Sequence, residues 1–326
     1  MNNLLTDIPG VAVGHATDPT LGSGVTTILF DQPAVASVAV LGGAPGGRDT
    51  QMLEPEMTVQ AVDAIVLSGG SAFGLDAAGG VQAMLREAGR GLAVAGMRVP
   101  IVSQAILFDL ANGGDKNWGR FSPYRDLGYA AACAAREGKF TLGSVGAGTG
   151  ATTATVKGGL GSASMMTSTG HTVAALAVVN ALGSPLIGDG PWFWASPFEV
   201  DNEFGGRGWP TPMPANTTMP RFKGAPATTI GIIVTDAVLT KPQAKRLAIM
   251  AHDGLSRAIL PAHAPMDGDT IFAAATGTRP LGGSGELTEL GHAATLTMAR
   301  AIARGVYEAT PLDVPGAQQS WRQMFG

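Results

Sequence analysis

Apolar positions along the chain fall in short continuous runs separated by glycine-rich or proline-rich turns. Runs of four to eight apolar residues bounded by such turns are typical of strands buried on both faces. On this basis we predict strands over 24–30, 36–41, 64–67, 164–167, 173–179 and 270–275, and a further strand that begins at Thr228.

Helical spacing of apolar residues occurs between these strands. We predict helices over 72–88 and 126–136, a third that follows Thr240 and includes apolar residues at helical spacing as far as Ala258, and a fourth over 287–308. Gly89 is placed to end the first helix, and Thr240 is an N-cap candidate for the third, with Pro242 in its first turn. Alternating strands and helices indicate an α/β protein with helices packed on sheets. We see no repeat and no break in composition, so we treat 1–326 as a single domain.

Composition narrows the class of protein. Hydrophobic residues make up 45% of the chain and charged residues 14%, so a large core is expected. A net charge of -4 without a basic stripe argues against a nucleic-acid partner. Cys133 is the only cysteine, which excludes an intrachain disulfide, and we expect it to be buried. No run is apolar over the length of a membrane span and no signal-peptide pattern is present, so we expect a soluble cytoplasmic protein.

The most informative junction precedes Thr228. The segment 209–227 holds five prolines and runs directly into the apolar strand. If the chain breaks before Thr228, that residue gains an α-amine with a pKa near ~8 beside its own hydroxyl. Such an amine can act as the general base for the hydroxyl. The alternative is a threonine at a loop-to-strand boundary without chemistry.

Four other polar residues allow both a structural and a chemical interpretation. Asp267 and Asp269 either flank a glycine turn or form a carboxylate pair that holds an ammonium group. Lys157 is a rare charge in a long uncharged stretch, either solvent-exposed or a buried ammonium. Asn180 either ends a strand or supplies an amide to an oxyanion hole.

The remaining motifs are less specific. The glycine loops 69–74 and 146–150 match neither the P-loop nor the dinucleotide fingerprint, and close-packed turns are favoured over anion sites. The five histidines have no paired spacing, so we expect no metal. Trp192 and Trp194 either pack in the core or an interface, or form a wall of the substrate pocket.

Taken together and in order, several segments resemble the P1 (S58) peptidase family, which includes L-aminopeptidase/D-esterase proteins, β-peptidyl aminopeptidases and the nylon-oligomer endo-hydrolase. The matching segments cover nearly the whole chain and are 10–15, 42–46, 69–78, 145–150, 179–183, 228–236 and 267–272. Each match is modest, whereas the ordered set is specific.

The resemblance implies a four-layer αββα sandwich of the N-terminal-nucleophile type. It also implies self-cleavage between Ala227 and Thr228 into chains 1–227 and 228–326, with Thr228 as nucleophile. The family's lysine and its oxyanion-side asparagine fall on Lys157 and Asn180, and its acidic pair falls on Asp267 and Asp269. No cofactor is implied. We also expect a homo-oligomer, a tetramer of processed heterodimers.

Two departures from the family pattern affect the site. Ala227 stands where the family has Asn or Gly before the break. A family tyrosine falls on Phe108, which lacks the hydroxyl. We include Phe108 with Trp192 and Trp194 as candidate substrate-binding residues.

These features predict a self-processing N-terminal-threonine amidohydrolase that acts on short peptides, amino-acid amides or esters. A second interpretation is endo-cleavage of linear oligoamides of the nylon-oligomer type. A third is acyl transfer of the ornithine acetyltransferase type, and a fourth is a scaffold with a vestigial site. Thr228 is the nucleophile in each catalytic interpretation.

Overall fold

Eleven strands and six helices form the protein in a computed structural model that describes residues 1–326. The strands are β1 (Val11–Asp18), β2 (Ser23–Val40), β3 (Gly47–Arg48), β4 (Ala61–Ser68), β5 (Leu92–Val94), β6 (Met97–Val99), β7 (Val102–Ile106), β8 (Leu160–Met166), β9 (Thr172–Asn180), β10 (Thr228–Ala237) and β11 (Thr270–Arg279). The helices are α1 (Ser71–Gly74), α2 (Ala77–Glu87), α3 (Tyr124–Cys133), α4 (Lys241–Ala258), α5 (Ser284–Tyr307) and α6 (Trp321–Phe325).

The long, bent strand β2 joins the two halves of one nine-stranded sheet, and these halves pack face to face around a shared core. Its first half pairs with β1 and β4, and its second half pairs with β11, so the order is β3-β7-β4-β2-β11-β10-β9-β8. The register shifts between Leu29 and Ala34, around Pro33, which has no N–H to donate to a ladder. The two strands predicted over 24–30 and 36–41 are therefore one bent strand.

Three hydrophobic cores separate four layers. Because successive side chains of a strand point to opposite faces, each central strand contributes to two cores. In β9, Leu176 and Val178 lie in the core between the two halves of the sheet, while Ala177 lies in the core beneath α4 and α5. In β4, Ile65 joins the central core and Val66 packs with α2 and α3. The predicted αββα sandwich is confirmed.

Two helices show how local sequence fixes element bounds. Thr240 caps α4, and its side chain accepts from the N–H of Gln243, as predicted. The helix predicted over 72–88 is instead split into α1 and α2. The amide of Gln104 causes the break, since it donates to the Gly74 carbonyl at 2.6 Å and accepts from the Ala78 N–H at 3.0 Å. Those two backbone groups would bond each other in a continuous helix.

One expectation about burial is wrong. Cys133 ends α3 as an exposed free thiol, because the helix buries its opposite face through Tyr124, Gly128, Ala131 and Ala132. None of the helices combines the length and the apolar character needed to cross a bilayer.

Candidate active site

Three chain segments meet where β10 begins. The antiparallel pairing of β10 with β9 places Asn180 opposite Thr228. The parallel pairing of β10 with β11 sets the residues before β11 beside the residues before β10, and Ala227 forms an isolated bridge with Asp267. The sheet topology thus brings together Thr228, Asn180 and the acidic pair, which are far apart in the sequence.

The Ala227–Thr228 peptide is held by short polar contacts. Thr228 is 4% exposed, and its hydroxyl donates to the carbonyl oxygen of Ala227 at 2.5 Å. The N–H of Gly268 donates to the same oxygen at 3.1 Å. A Cβ on Gly268 would lie 2.5 Å from the Thr228 Oγ1, so only glycine leaves room for this hydroxyl. The Ala227 carbonyl oxygen therefore accepts from two donors, the Thr228 hydroxyl and the Gly268 N–H.

We use the term carboxylate side for Asp267, Gly268, Asp269 and His263. One Asp269 oxygen accepts from the N–H of Thr229 at 2.9 Å. The other accepts from the backbone N–H of His263 at 2.9 Å and from its Nδ1 at 2.8 Å. All three partners donate, so both oxygens of Asp269 act as hydrogen-bond acceptors.

The two acids differ in their proton affinity. Burial, followed by the charge of Asp269, raises the pKa of Asp267 to about 8. Asp267 therefore keeps its proton at neutral pH, as expected for two carboxyl groups that cannot both ionise in one buried site. For His263, burial disfavours the charged ring, but the hydrogen bond and charge of Asp269 outweigh it and raise the pKa.

The amide side consists of Asn180, Lys223, Phe108 and Thr152. The Asn180 Oδ1 accepts from the Lys223 ammonium at 2.6 Å and from the Thr152 N–H at 3.0 Å. Its Nδ2 donates to the Phe108 carbonyl at 3.0 Å. The side chain of Asn180 is completely buried, and one N–H of its Nδ2 has no partner among these contacts.

A cavity of about 520 Å³ opens on the amide side. It is lined by the loop after β7, the loop after the 146–148 turn, the linker before Thr228 and the C-terminal segment 312–318. The lining includes the aromatic ring of Phe108 and the charged or titratable side chains of Asp109, Lys157 and Lys223. Thr228 does not line the cavity. The lining residues that precede it in the linker are 222–225.

Lys157 is buried rather than solvent-exposed. Its ammonium donates to the carbonyls of Ala151 at 2.7 Å, Gly158 at 2.8 Å and Gly148 at 3.3 Å. Burial lowers the pKa of Lys157 to about 7, which Asp109 opposes. Lys157 therefore lies beside the cavity without a hydrogen bond to Thr228.

Asp109 also explains the first glycine loop. Its carboxylate accepts from the Gly70 N–H at 2.8 Å and from the Ser23 hydroxyl at 2.6 Å. A Cβ on Gly69 would lie 2.2 Å from that carboxylate. The loop is thus a close-packed turn around the Asp109 carboxyl group, whose pKa is raised by burial. The 146–150 loop is likewise close-packed, since a Cβ on Gly148 would lie 2.4 Å from the Leu160 nitrogen.

The aromatic cluster lies elsewhere. Phe193 is a core residue stacked on Trp321 with ring centroids 5.9 Å apart. Trp192 and Trp194 are half-buried beside it and do not line the cavity, whereas Phe108 does. A substrate-binding role for the two tryptophans stays a prediction.

Three residues of this site were not found from the sequence. Lys223 lies in the linker, and burial lowers its pKa to about 8. Asp109 follows a buried strand, and His263 follows a proline-rich turn. Asp109 directly follows the apolar run 105–108, so a search for charges at the ends of such runs would have found it, whereas Lys223 lies in the proline-rich linker without such a signal.

Comparison with known proteins identifies the family. The model of peptidase family S58 matches residues 3–320. An uncharacterized aminopeptidase of Mycobacterium tuberculosis is 41% identical over 351 positions, which cover 99% of this chain and 98% of that protein. A 6-aminohexanoate-oligomer endohydrolase of Kocuria sp. is 30% identical over 284 positions, covering 83% of this chain and 74% of that enzyme.

Solved structures agree on the fold. A Burkholderia sp. beta-aminopeptidase has a TM-score of 0.72 at 22% identity, covering 99% of this chain and 92% of that chain. An L-aminopeptidase D-Ala-esterase/amidase of Ochrobactrum anthropi, described as a variant of the Ntn hydrolase fold, has a TM-score of 0.69 at 19% identity and covers 98% of this chain and 91% of that chain. The predicted class, a hydrolase of peptide or amide bonds, is confirmed by the family match. The chain belongs to peptidase family S58.

Proposed function

We propose that this protein is a self-processing aminopeptidase in which Thr228 cleaves its own peptide bond and then serves as the N-terminal nucleophile. One observation carries the proposal: the Thr228 hydroxyl and the Gly268 N–H meet on the Ala227 carbonyl oxygen. A hydroxyl adjacent to a carbonyl whose oxygen is bound by a backbone donor is the arrangement that acyl transfer requires.

Self-cleavage proceeds by an N→O acyl shift. The Thr228 oxygen attacks the Ala227 carbonyl carbon while the Gly268 N–H stabilises the oxyanion. Collapse breaks the C–N bond, moves the hydroxyl proton to the nitrogen and leaves Ala227 esterified to Thr228. One water then hydrolyses the ester, which yields the Ala227 carboxylate and the free α-amine of Thr228.

The same residues then act on substrate. The α-amine removes the hydroxyl proton of Thr228, and the Asp267–Asp269 pair positions the amine. Asn180, paired in register with Thr228, is the proposed oxyanion-side amide through the second N–H of its Nδ2, the first being bonded to the Phe108 carbonyl. Lys157 contributes positive charge beside the cavity. Water completes the cycle by hydrolysing the acyl-enzyme.

Substitution of the nucleophile tests this proposal. We expect Thr228→Ala to abolish self-cleavage and to lower hydrolysis by at least about 10⁴-fold, because no other hydroxyl replaces the attacking oxygen. Thr229→Val is the matched control, since the buried Thr229 hydroxyl has no hydrogen-bond partner and valine keeps its shape. Intact-mass spectra and hydrolysis of an aminoacyl p-nitroanilide report the two steps. Hydrolysis retained by Thr228→Ala would remove Thr228 from the mechanism.

A second candidate function is endo-cleavage of linear oligoamides. The 30% identity to a 6-aminohexanoate-oligomer endohydrolase favours it. Oligomers of 6-aminohexanoate with a free or an acetylated N-terminus separate the two activities. An aminopeptidase cleaves only the free form, whereas an endo-hydrolase cleaves both. Glutamate added as an acceptor checks acyl transfer in the same assay.

Self-association remains part of the proposal. The hairpin β5–β6 supports it, because Leu92, Val94, Met97 and Val99 are all exposed and share one face of the two strands. Light scattering of the purified protein gives the oligomeric state directly.

A further inference from the structure

We propose that His263 is a positioning residue that holds Asp269 against the backbone of Thr229 and keeps the Asp267–Asp269 pair at one negative charge. This inference rests on the proposed role of Thr228. It adds a residue that the sequence motifs do not include, and it predicts how the site responds to pH.

The backbone of His263 is committed to this contact. Its φ of 57° lies in the left-handed region, which non-glycine residues rarely adopt. In that conformation both the N–H and the Nδ1 of His263 reach the same oxygen of Asp269, at 2.9 and 2.8 Å. The other oxygen of Asp269 holds the N–H of Thr229, the residue next to the nucleophile. His263 therefore acts on Thr228 through Asp269.

The surroundings of His263 favour a positive ring. Asp267 and Asp269 face it from the loop before β11, and His252 faces it from α4 with ring centroids 4.9 Å apart. His252 is neutral because burial lowers its pKa to about 4, although the hydrogen bond from its Nε2 to the Ala39 carbonyl at 2.9 Å opposes this shift. Asp253 lies beyond His252 on the exposed face of α4. Helix α4 also carries Lys241, Lys245, Arg246 and Arg257, but none of these cations is among the charges that shift the pKa of His263.

An imidazolium at this position sets the charge of the pair. Its charge faces both carboxyl groups, and the proton of the pair is held by Asp267, whose pKa is raised. His263 does not line the cavity. Its loss should therefore change kcat and the pH profile and leave KM unchanged.

The test compares three variants. His263→Asn suits a left-handed backbone and keeps a donor without the charge. His263→Gly removes the ring, which added imidazole can replace because the side chain is 20% exposed. His171→Asn is the control, since it removes another buried histidine bonded to a carboxylate, Glu286 at 3.2 Å, away from the site.

We expect the acidic limb of kcat in His263→Asn to move upward by about one pH unit, since a nearby cation lowers the pKa of a carboxyl group by that order. The ratio of the variant's kcat to that of the wild type should then be about tenfold lower at acidic pH than at the optimum. Imidazole should restore the wild-type profile to His263→Gly. If a variant is cleaved too slowly to yield mature enzyme, the pH dependence of its slow self-cleavage is followed by intact mass instead.

An unshifted profile, absence of rescue by imidazole, or the same shift in His171→Asn would each overturn the role of His263. These outcomes are distinct from failure of the proposed function. Hydrolysis retained by Thr228→Ala would reject the nucleophile whatever the His263 variants do. An inactive Thr228→Ala with an unshifted His263→Asn would reject only the positioning role.

Discussion

The two sides of Thr228 are built from different chemistry. On the carboxylate side, both oxygens of Asp269 are bonded within the protein, and none of its four residues lines the cavity. On the amide side, Phe108, Thr152 and Lys223 line the cavity directly. In the proposed mechanism, the carboxylate side would hold the Thr228 nucleophile and the amide side would receive the substrate. Three predictions test that division.

The largest loss of self-cleavage is expected from adding a side chain at Gly268 on the carboxylate side. In Gly268→Ala the new Cβ would lie 2.5 Å from the Thr228 Oγ1 and 2.9 Å from the Ala44 carbonyl oxygen. Because displacement of a reacting atom by about 1 Å can cost about 100-fold, we expect self-cleavage to slow at least that much. Gly285→Ala is the control, since its Cβ meets nothing within 4 Å. The intact mass followed over time gives the rate, and unchanged cleavage in Gly268→Ala would contradict the geometry.

An intermediate loss of kcat is expected from replacing Lys157, which lines the cavity on the amide side. Lys157 and Lys241 are both buried, and each donates to three carbonyls, those of Lys241 belonging to Met52, Met57 and Val59. Replacement of either by Met leaves carbonyl oxygens without a donor and should lower the free energy of unfolding by about 1–3 kcal/mol. Only Lys157→Met should also lower kcat, by about tenfold, because of these two lysines only Lys157 lines the cavity.

Urea unfolding in the uncleaved Thr228→Ala background gives the stability change, and kcat per cleaved molecule gives the catalytic change. Equal kcat values for the Lys157→Met and Lys241→Met enzymes would mean that the burial of Lys157 is structural. The comparison between the two lysines would then have no catalytic meaning.

The smallest effect is expected from Asp267→Asn. Since the pKa of Asp267 is raised to about 8 from an ordinary value of 3.8, the folded protein binds the extra proton between these values. Its free energy of unfolding, relative to that of Asp267→Asn, should therefore fall as pH rises through this window. At neutral pH, asparagine mimics the protonated acid, and we expect kcat to change by less than about tenfold. Urea unfolding at acidic and alkaline pH checks the sign, and a difference that does not depend on pH would refute it.

The sequence predicted the parts of the site that depend on local pattern. Thr228 begins β10 as expected, because a proline-rich segment cannot continue into a buried ladder. Asp267 and Asp269 precede β11, and the parallel pairing of β10 and β11 delivers them to Thr228. The family motifs identified these residues, but their contacts follow from the sheet.

The parts that were missed depend on long-range placement. Lys223 is ordered by Asn180, which is 43 residues away in the chain, and Asp109 is ordered by Ser23 and Gly70. Gln104, which lies on strand β7, likewise interrupts the helix predicted over 72–88 through its hydrogen bonds to Gly74 and Ala78. No local pattern contains these pairings, because each joins a loop or strand to a distant backbone group.

Denaturing mass spectrometry of the purified protein tests the central claim most directly. We predict two species, residues 1–227 and 228–326, whose masses sum to 33.0 kDa plus one water, with Thr228 at the new N-terminus. A single 33.0 kDa chain that nevertheless hydrolyses peptides, or a break at any other bond, would contradict the account.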